Sequence, residues 1–256
     1  MTDYCSGLLV DIITKSYMGN ANWEFKARSF TPGPGEHTTF ESGFHSLNFN
    51  SDFWDTCDAW AKNMKFWFVN YSPYATGTLQ VDYWGEVGTQ ACGRYSWAHN
   101  RARGLDLCLV MFTNGYYMDS NWSHQAGGSL QPRRYLAVAA NLRRYFRTVL
   151  TTWYNADHRD HIHFDNQYTV DALSTARPSD TTLVQAACNL LNGESLDIDG
   201  AWGPLTTAAY ERLLDAFNLG CKDPLSSTTD AKQFLSFIVR HGTANEAAGY
   251  WTGGCG

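Results

Sequence analysis

The sequence predicts an α+β fold followed by a small three-helix bundle. Between residues 38 and 175, stretches of helical periodicity and stretches of period-two alternation follow one another without the regular order of a βαβ series. The longest helical pattern, QPRRYLAVAANLRRYFRTVLTTWY, lies between two strand patterns, GLDLCLVMF and HIHFD. Beyond residue 180 only helical spacing remains.

Residues 1–37 form an N-terminal extension that ends in the breaker-rich TPGPGEH, and the segment 38–175 follows it. SDFWDTCDAWAKNMKFWF carries apolar residues at helical spacing behind Ser51, a candidate cap. GTLQVDYWGEV has the alternation and aromatic content of a strand, and GLDLCLVMF reads as a buried one. In the long helix Pro132 sits near the start, and Tyr135, Val138, Leu142, Tyr145 and Val149 repeat along one face. HIHFD alternates and closes this part. ARPSDTT (176–182), small and polar, reads as a linker. In 183–256 three short helices are marked by Leu183, Ala187 and Leu190, by Ala209, Leu213 and Phe217, and by Phe234, Leu235 and Ile238.

A chain of 256 residues that is 44% hydrophobic can bury a sizeable core, which excludes a disordered polymer. The net charge of −6 argues against a nucleic-acid partner, which favours a basic stripe. LCLVMF is too short to cross a bilayer, so no membrane partner is expected, and the chain is expected to act as a monomer. The seven cysteines contain no CxxC pair, which argues against a thiolate zinc cluster. They fit an oxidising compartment with up to three bridges and one thiol left over, Cys188 with Cys221 being the pairing expected within the C-terminal unit. An extracellular or cell-wall location is therefore expected. The N-terminus lacks the form of a signal peptide, so either a signal was removed or export follows another route such as phage lysis.

DHRDHIHFDN (157–166) spends three of eight histidines in ten positions. On a strand, His161 and His163 share one face. A catalytic zinc needs three protein ligands and an open position. Upstream, AHNRARGLDL offers His99 and, seven residues later, Asp106, a carboxylate inside a buried strand that is costly to desolvate without a partner. His37, His45, His124 and His241 have no such partners and read as structural or solvated.

ACGRYSWAHNRARGLDLCLVMFTNG and FRTVLTTWYNADHRDHIHFDN together resemble the extensin-like C-terminal domain family of bacteria. That family is similar to the zinc D-Ala-D-Ala carboxypeptidases and to murein endopeptidases of the same, hedgehog-like fold. The resemblance covers roughly residues 80 to 166. It implies zinc held by His99, Asp106 and His163 and a peptidase acting on bacterial peptidoglycan. The family pattern has glycine three residues after the first ligand and alanine two further on, where this chain has Ala102 and Gly104; its serine two before the ligand is Trp97 here.

Such a zinc polarises a carbonyl and brings the pKa of a water to about 7, and a nearby base must shuttle the proton. Asp157, His158, Asp160 and His161 compete for that role. Asp160, three residues before His163, stands where related carboxypeptidases place a glutamate; it is the favoured base, with His161 as its hydrogen-bonding partner. Arg94 is the candidate cation for an oxyanion or a substrate carboxylate. Asp165 is expected to support His163, and Tyr154 and Asn155 to shape the loop. LVQAACNLLNGESLDIDGAWGPLTTAAYERLL resembles the three-helix peptidoglycan-binding domain, with Thr206 as a helix cap and Trp202 either stacking on a ligand or covering the small core. The rival expectations are a non-catalytic wall-binding protein with a degenerate peptidase domain and a phage endolysin of the same chemistry.

Overall fold

The computed structural model describes residues 12–16, 23–27, 46–72, 79–83, 97–112, 117–120, 123–125, 127–128, 130–248 and 255. Arg94, His37, His45, Cys5 and Cys92 lie outside the described residues. Strand β1 (Ile12–Ser16), β2 (Trp23–Ala27) and β3 (Ser46–Asn50) precede helix α1 (Ser51–Tyr71). The cap of α1 is Asn50, whose side-chain oxygen accepts from the Phe53 backbone N–H at 3.4 Å; the expected cap, Ser51, is already in the first turn. Phe53, Cys57, Trp60, Ala61, Met64 and Phe68 recur at three- and four-residue spacing and form its buried stripe.

The main sheet adds β4 (Leu79–Tyr83), β5 (Gly104–Phe112), β6 (Tyr117–Asp119), β7 (Thr148–Leu150) and β8 (Ile162–Asp165). Its order is β2-β4-β5-β8-β7, with β6 also on β5; β1 and β3 make a separate antiparallel pair. Only β2 and β4 run parallel among the described pairings. The result is a mixed α+β architecture, as expected.

Helix α2 (Leu130–Tyr145) ends earlier than its sequence pattern. The expected face continued to Val149, but residues 148–150 are a strand paired with β8, where a β-branched run packs better than in a helix. Phe164 of β8 anchors the core, with ring centroids 5.9 Å from Phe53, 5.8 Å from Trp60 and 4.6 Å from Phe146.

Helices α3 (Pro178–Asn192), α4 (Pro204–Ala216) and α5 (Thr228–Ala244) complete the chain. Residues 178–182, part of the stretch that reads as a linker, are the first turn of α3, and Ser179 to Thr182 are buried. Asp180 in that turn pairs with Arg143 of α2 at 2.7 Å. Helix α5 lies close on α2: a Cβ on Gly242 would stand 2.6 Å from the Arg133 carbonyl oxygen. Buried apolar residues of both parts, from Phe53 to Val239, belong to one continuous cluster.

Two local expectations are corrected. Thr206 does not cap α4: Gly203 occupies that position, and the Thr206 hydroxyl instead accepts from the Gln185 amide at 3.3 Å. Cys188 is a buried free thiol on α3, and Cys221 is bridged to Cys255. With Cys57 also a buried free thiol, five of the seven cysteines remain for bridging, too few for three bridges.

Candidate metal centre

The strand alternation that builds the core also builds the site. Leu105 and Leu107 of β5 and Ile162 and Phe164 of β8 join the core cluster, so the residues between them face the other way. Asp106 and His163 are direct cross-strand partners on that face. His99 comes from a 3-10 turn (His99–Arg101) just ahead of β5. The turn is closed by bonds from Arg103 N to Ala98 O at 2.9 Å and from Ala102 N to His99 O at 3.2 Å. It is fastened to the start of α1 by Asn50 N to Ala102 O at 2.9 Å.

The turn shows what two departures from the resembled pattern do. Ala102, where the pattern has glycine, adopts a left-handed φ of 54°. For a side-chain-bearing residue that conformation costs about 1–2 kcal/mol. Gly104, where the pattern has alanine, has little room: a Cβ there would stand 2.9 Å from the Ala98 Cβ and 3.2 Å from His163 Cε1.

His99, Asp106 and His163 are 4%, 4% and 7% exposed, and their ligand atoms converge. His99 Nε2 lies 3.2 Å from His163 Nδ1 and 3.3 Å from Asp106 Oδ1, and His163 Nδ1 lies 2.8 Å from the same oxygen. Zinc bonds of 2.0–2.1 Å in a tetrahedron put neighbouring donors about 3.3 Å apart, so the donor set fits that ion with little adjustment. Asp165 Oδ2, 3.2 Å from His163 Nε2, can hold that nitrogen's proton and leave the Nδ1 lone pair toward the cluster. Two buried carboxylates with neutral imidazoles also match a divalent charge.

Without a cation, protons serve instead. Burial works against ionisation of Asp106, but hydrogen bonds from His163 and His99 outweigh it and hold the carboxyl far below the usual carboxylate range. Burial likewise disfavours a charged His163, yet its bonds to Asp106 and Asp165 push it up to about 9.

Of the four base candidates, the structure brings three beside this cluster. His161 places Nδ1 2.8 Å from Asp160 Oδ1 and Nε2 3.8 Å from Asp106 Oδ1. Asp160, half-buried, is held below its ordinary value because the bond to His161 outweighs its burial. The His158 ring lies 5.1 Å from that of His161 and 6.2 Å from that of His163, tilted to both. Its burial, and the neighbouring His161 and His163, pull it down to about 4. Asp157 is exposed on the rim. Asn155 shapes the loop, accepting from the Asp157 backbone N–H at 3.1 Å, and Tyr154 stands edge-on to His158 at 5.9 Å.

Trp202 is half-buried, with its indole N–H on the Thr207 hydroxyl at 3.0 Å and its ring edge-on to Tyr210 at 5.3 Å. One side of it therefore covers the small core. Sequence singles out Gly104 as a departure but not its role, which is to make room for the His163 ring. Ala102 is singled out in the same way, but not the left-handed backbone it adopts.

No helix among the described residues is long and apolar enough to cross a membrane, and the Cys221–Cys255 bridge is compatible with an extracellular protein. No curated protein and no solved structure matches the chain at a significant level. The family model described as the extensin-like protein C-terminus matches residues 35–175, more than half of the chain and the whole of the His99, Asp106 and His163 cluster. The chain thus belongs to the extensin-like protein C-terminus family.

Proposed function

We infer that this protein is a zinc-dependent peptidoglycan peptidase, hydrolysing an amide of the stem peptides or cross-links outside the cytoplasm. The observation that carries the reading is the convergence of His99 Nε2, Asp106 Oδ1 and His163 Nδ1 within 3.3 Å of one another on a buried sheet face. When bound there, zinc supplies a Lewis acid and an acidified water.

The protein's own groups supply the proton transfers. Asp160 fixes the Nδ1 proton of His161, which leaves the Nε2 lone pair toward Asp106 and the reacting groups. His161 Nε2 takes a proton from the attacking water and returns it to the leaving amine. Asp160 orients the ring and stabilises its charged form. This reading exchanges the two roles expected from sequence, on the ground that His161 Nε2 lies 3.8 Å from Asp106 Oδ1 while Asp160 bonds the ring's other nitrogen. His158, neutral at pH 7 because its pKa is pulled down to about 4, borders the same space. The C-terminal helices, similar in sequence to a peptidoglycan-binding domain, would retain the enzyme on its insoluble substrate.

The test is digestion of purified peptidoglycan, with released fragments identified by mass spectrometry before and after chelation. His99→Ala, Asp106→Ala and His163→Ala should each abolish turnover and lower bound zinc. Full activity in all three, or after complete removal of metal, refutes the reading. Turnover that is absent while the protein still sediments with peptidoglycan would favour a wall-binding protein instead.

A further inference from the structure

Helix α1 carries an exposed apolar surface that the metal centre does not use. Phe66 and Val69 are 51% and 45% exposed and lie three residues apart on one helix face. The other exposed large apolar residues, Trp97, Leu130, Tyr154, Tyr168 and Leu205, come from separate segments. Isolated exposed apolar residues are ordinary; contiguous ones mark contact sites.

The patch is an aromatic ledge. Phe66 stands edge-on to Trp67 at 5.6 Å and to Tyr71 at 6.4 Å, and Trp67 stacks on Tyr71 at 5.1 Å. Two guanidinium groups border it: Arg144 lies 5.9 Å from the Trp67 ring and Arg240 5.3 Å from that of Tyr71. Arg144 is held by the Asn63 side-chain oxygen, and among the described residues no carboxylate forms an ion pair with it. On a chain of net charge −6 two cations thus border the rings, Arg240 lying also in the field of Glu246.

Aromatic rings bordered by guanidinium groups suit a polymer of sugar rings carrying carboxylates. The apolar faces of the sugars stack on the rings, and the carboxylates meet the cations. The ledge is remote from the cluster. Asp52, at the start of α1, lies 3.6 Å from Arg103 in the turn beside His99. Fourteen residues further on, at 1.5 Å per residue, Phe66 is roughly 20 Å away. We propose that the Phe66–Trp67–Tyr71 ledge binds the glycan strand of an acidic polysaccharide, holding the polymer while the metal centre works on its peptides. The choice of a cell-wall glycan rests on the peptidase reading above.

The experiment uses the full chain and soluble peptidoglycan glycan strands stripped of their peptides, with binding measured by calorimetry. Wild type should bind, Phe66→Trp should match it, and Phe66→Ala should bind about tenfold more weakly, the loss expected for one stacking contact. Unchanged binding in Phe66→Ala, or no binding by the wild type, overturns the proposal. So does a Phe66→Ala effect confined to self-association in sedimentation runs, which would make the ledge a contact between copies. Peptide-free strands keep the two readings apart. A protein that cleaves stem peptides without binding the strands loses the ledge and keeps the peptidase, and the reverse result keeps the ledge.

Discussion

Replacing Asp180 by alanine should loosen the attachment of the C-terminal helices to α2. Arg143 is 1% exposed. Its Nε and one terminal nitrogen donate to Asp180 at 2.7 and 3.2 Å, and that terminal nitrogen also donates to Asp171 at 3.1 Å and to the Ala172 carbonyl at 3.0 Å. Asp180 further accepts from Arg177 at 2.7 Å and from the Ser174 backbone N–H at 3.0 Å. Breaking one side of a buried pair costs about 3–5 kcal/mol, because the remaining charge is left in a poorly solvated place. Asp171 is still within reach of Arg143 and is itself 39% exposed, which puts the loss at the lower end, about 3 kcal/mol. For a chain of this length that corresponds to a Tm drop of about 6–12 °C. Circular-dichroism melts at neutral pH measure it, with Arg143→Met/Asp180→Leu as the control. The double variant, which leaves no buried charge, should recover at least half of the drop. A single-variant drop under about 2 °C, or a double variant no better than the single, would show that the pair does not hold α3 to α2 as argued.

Ala102→Gly should relieve the left-handed strain, raising stability by about 1 kcal/mol and Tm by about 2–4 °C in the same melts. Gly104→Ala should act in the opposite direction on function: the new methyl meets His163 Cε1 and the Ala98 Cβ, so zinc affinity measured by chelator competition should fall although no ligand is changed. The proton that Asp106 and Asp165 hold on His163 must leave before a metal binds. Zinc affinity of the metal-free protein should therefore rise about tenfold per pH unit toward pH 9 and level off above it; a flat profile refutes this. His241 titrates the other way. Its burial, then the adjacent Arg240 and Arg133, depress it to about 4. Its contribution is complete above the unfolded value of about 6.5 and is lost as pH falls toward 4, by roughly 2–3 kcal/mol, with Glu246 at 3.9 Å offsetting part. His241→Leu should remove that acid limb in melts compared at pH values of about 7 and 4.5.

Much of the fold is legible where one period dominates. Helix α1 and strands β5 and β8 fall where their patterns put them, because one face of each is buried against the same core. The end of α2 is not legible: Val149 continues the helical face, and only pairing with β8 turns residues 148–150 into a strand. Asp180 misleads for a related reason. A short polar stretch with a proline looks like a linker until a buried arginine from another helix meets it. The cysteine pairing fails because nearness along the chain says nothing of direction; Cys188 points into the core from the middle of α3, and Cys221 reaches the C-terminal end. That His99, Asp106 and His163 come together was legible, since their order and the seven-residue spacing of the first two are sequence properties. The placement of His161 Nε2 3.8 Å from Asp106 Oδ1, with Asp160 on the ring's other nitrogen, was not, because it depends on how the side chains of adjacent residues turn.

Fold and site are inseparable on the two strands that cross at Asp106 and His163. The same alternation that sends Leu105, Leu107, Ile162 and Phe164 into the core commits the intervening residues to a second buried face. Most chains would fill such a face with apolar groups, since a buried carboxylate beside a second one is costly. Here it holds Asp106, Asp165 and two imidazoles, an arrangement that needs a positive charge at its centre. In the protein alone that charge is the proton on His163, raised to about 9 by the two carboxylates. A divalent cation placed between the same nitrogens and oxygen would replace that proton and neutralise the second carboxylate as well. On the metal reading proposed above, such an ion would satisfy the face better than protons do, and the strand register itself would supply part of the driving force for binding it.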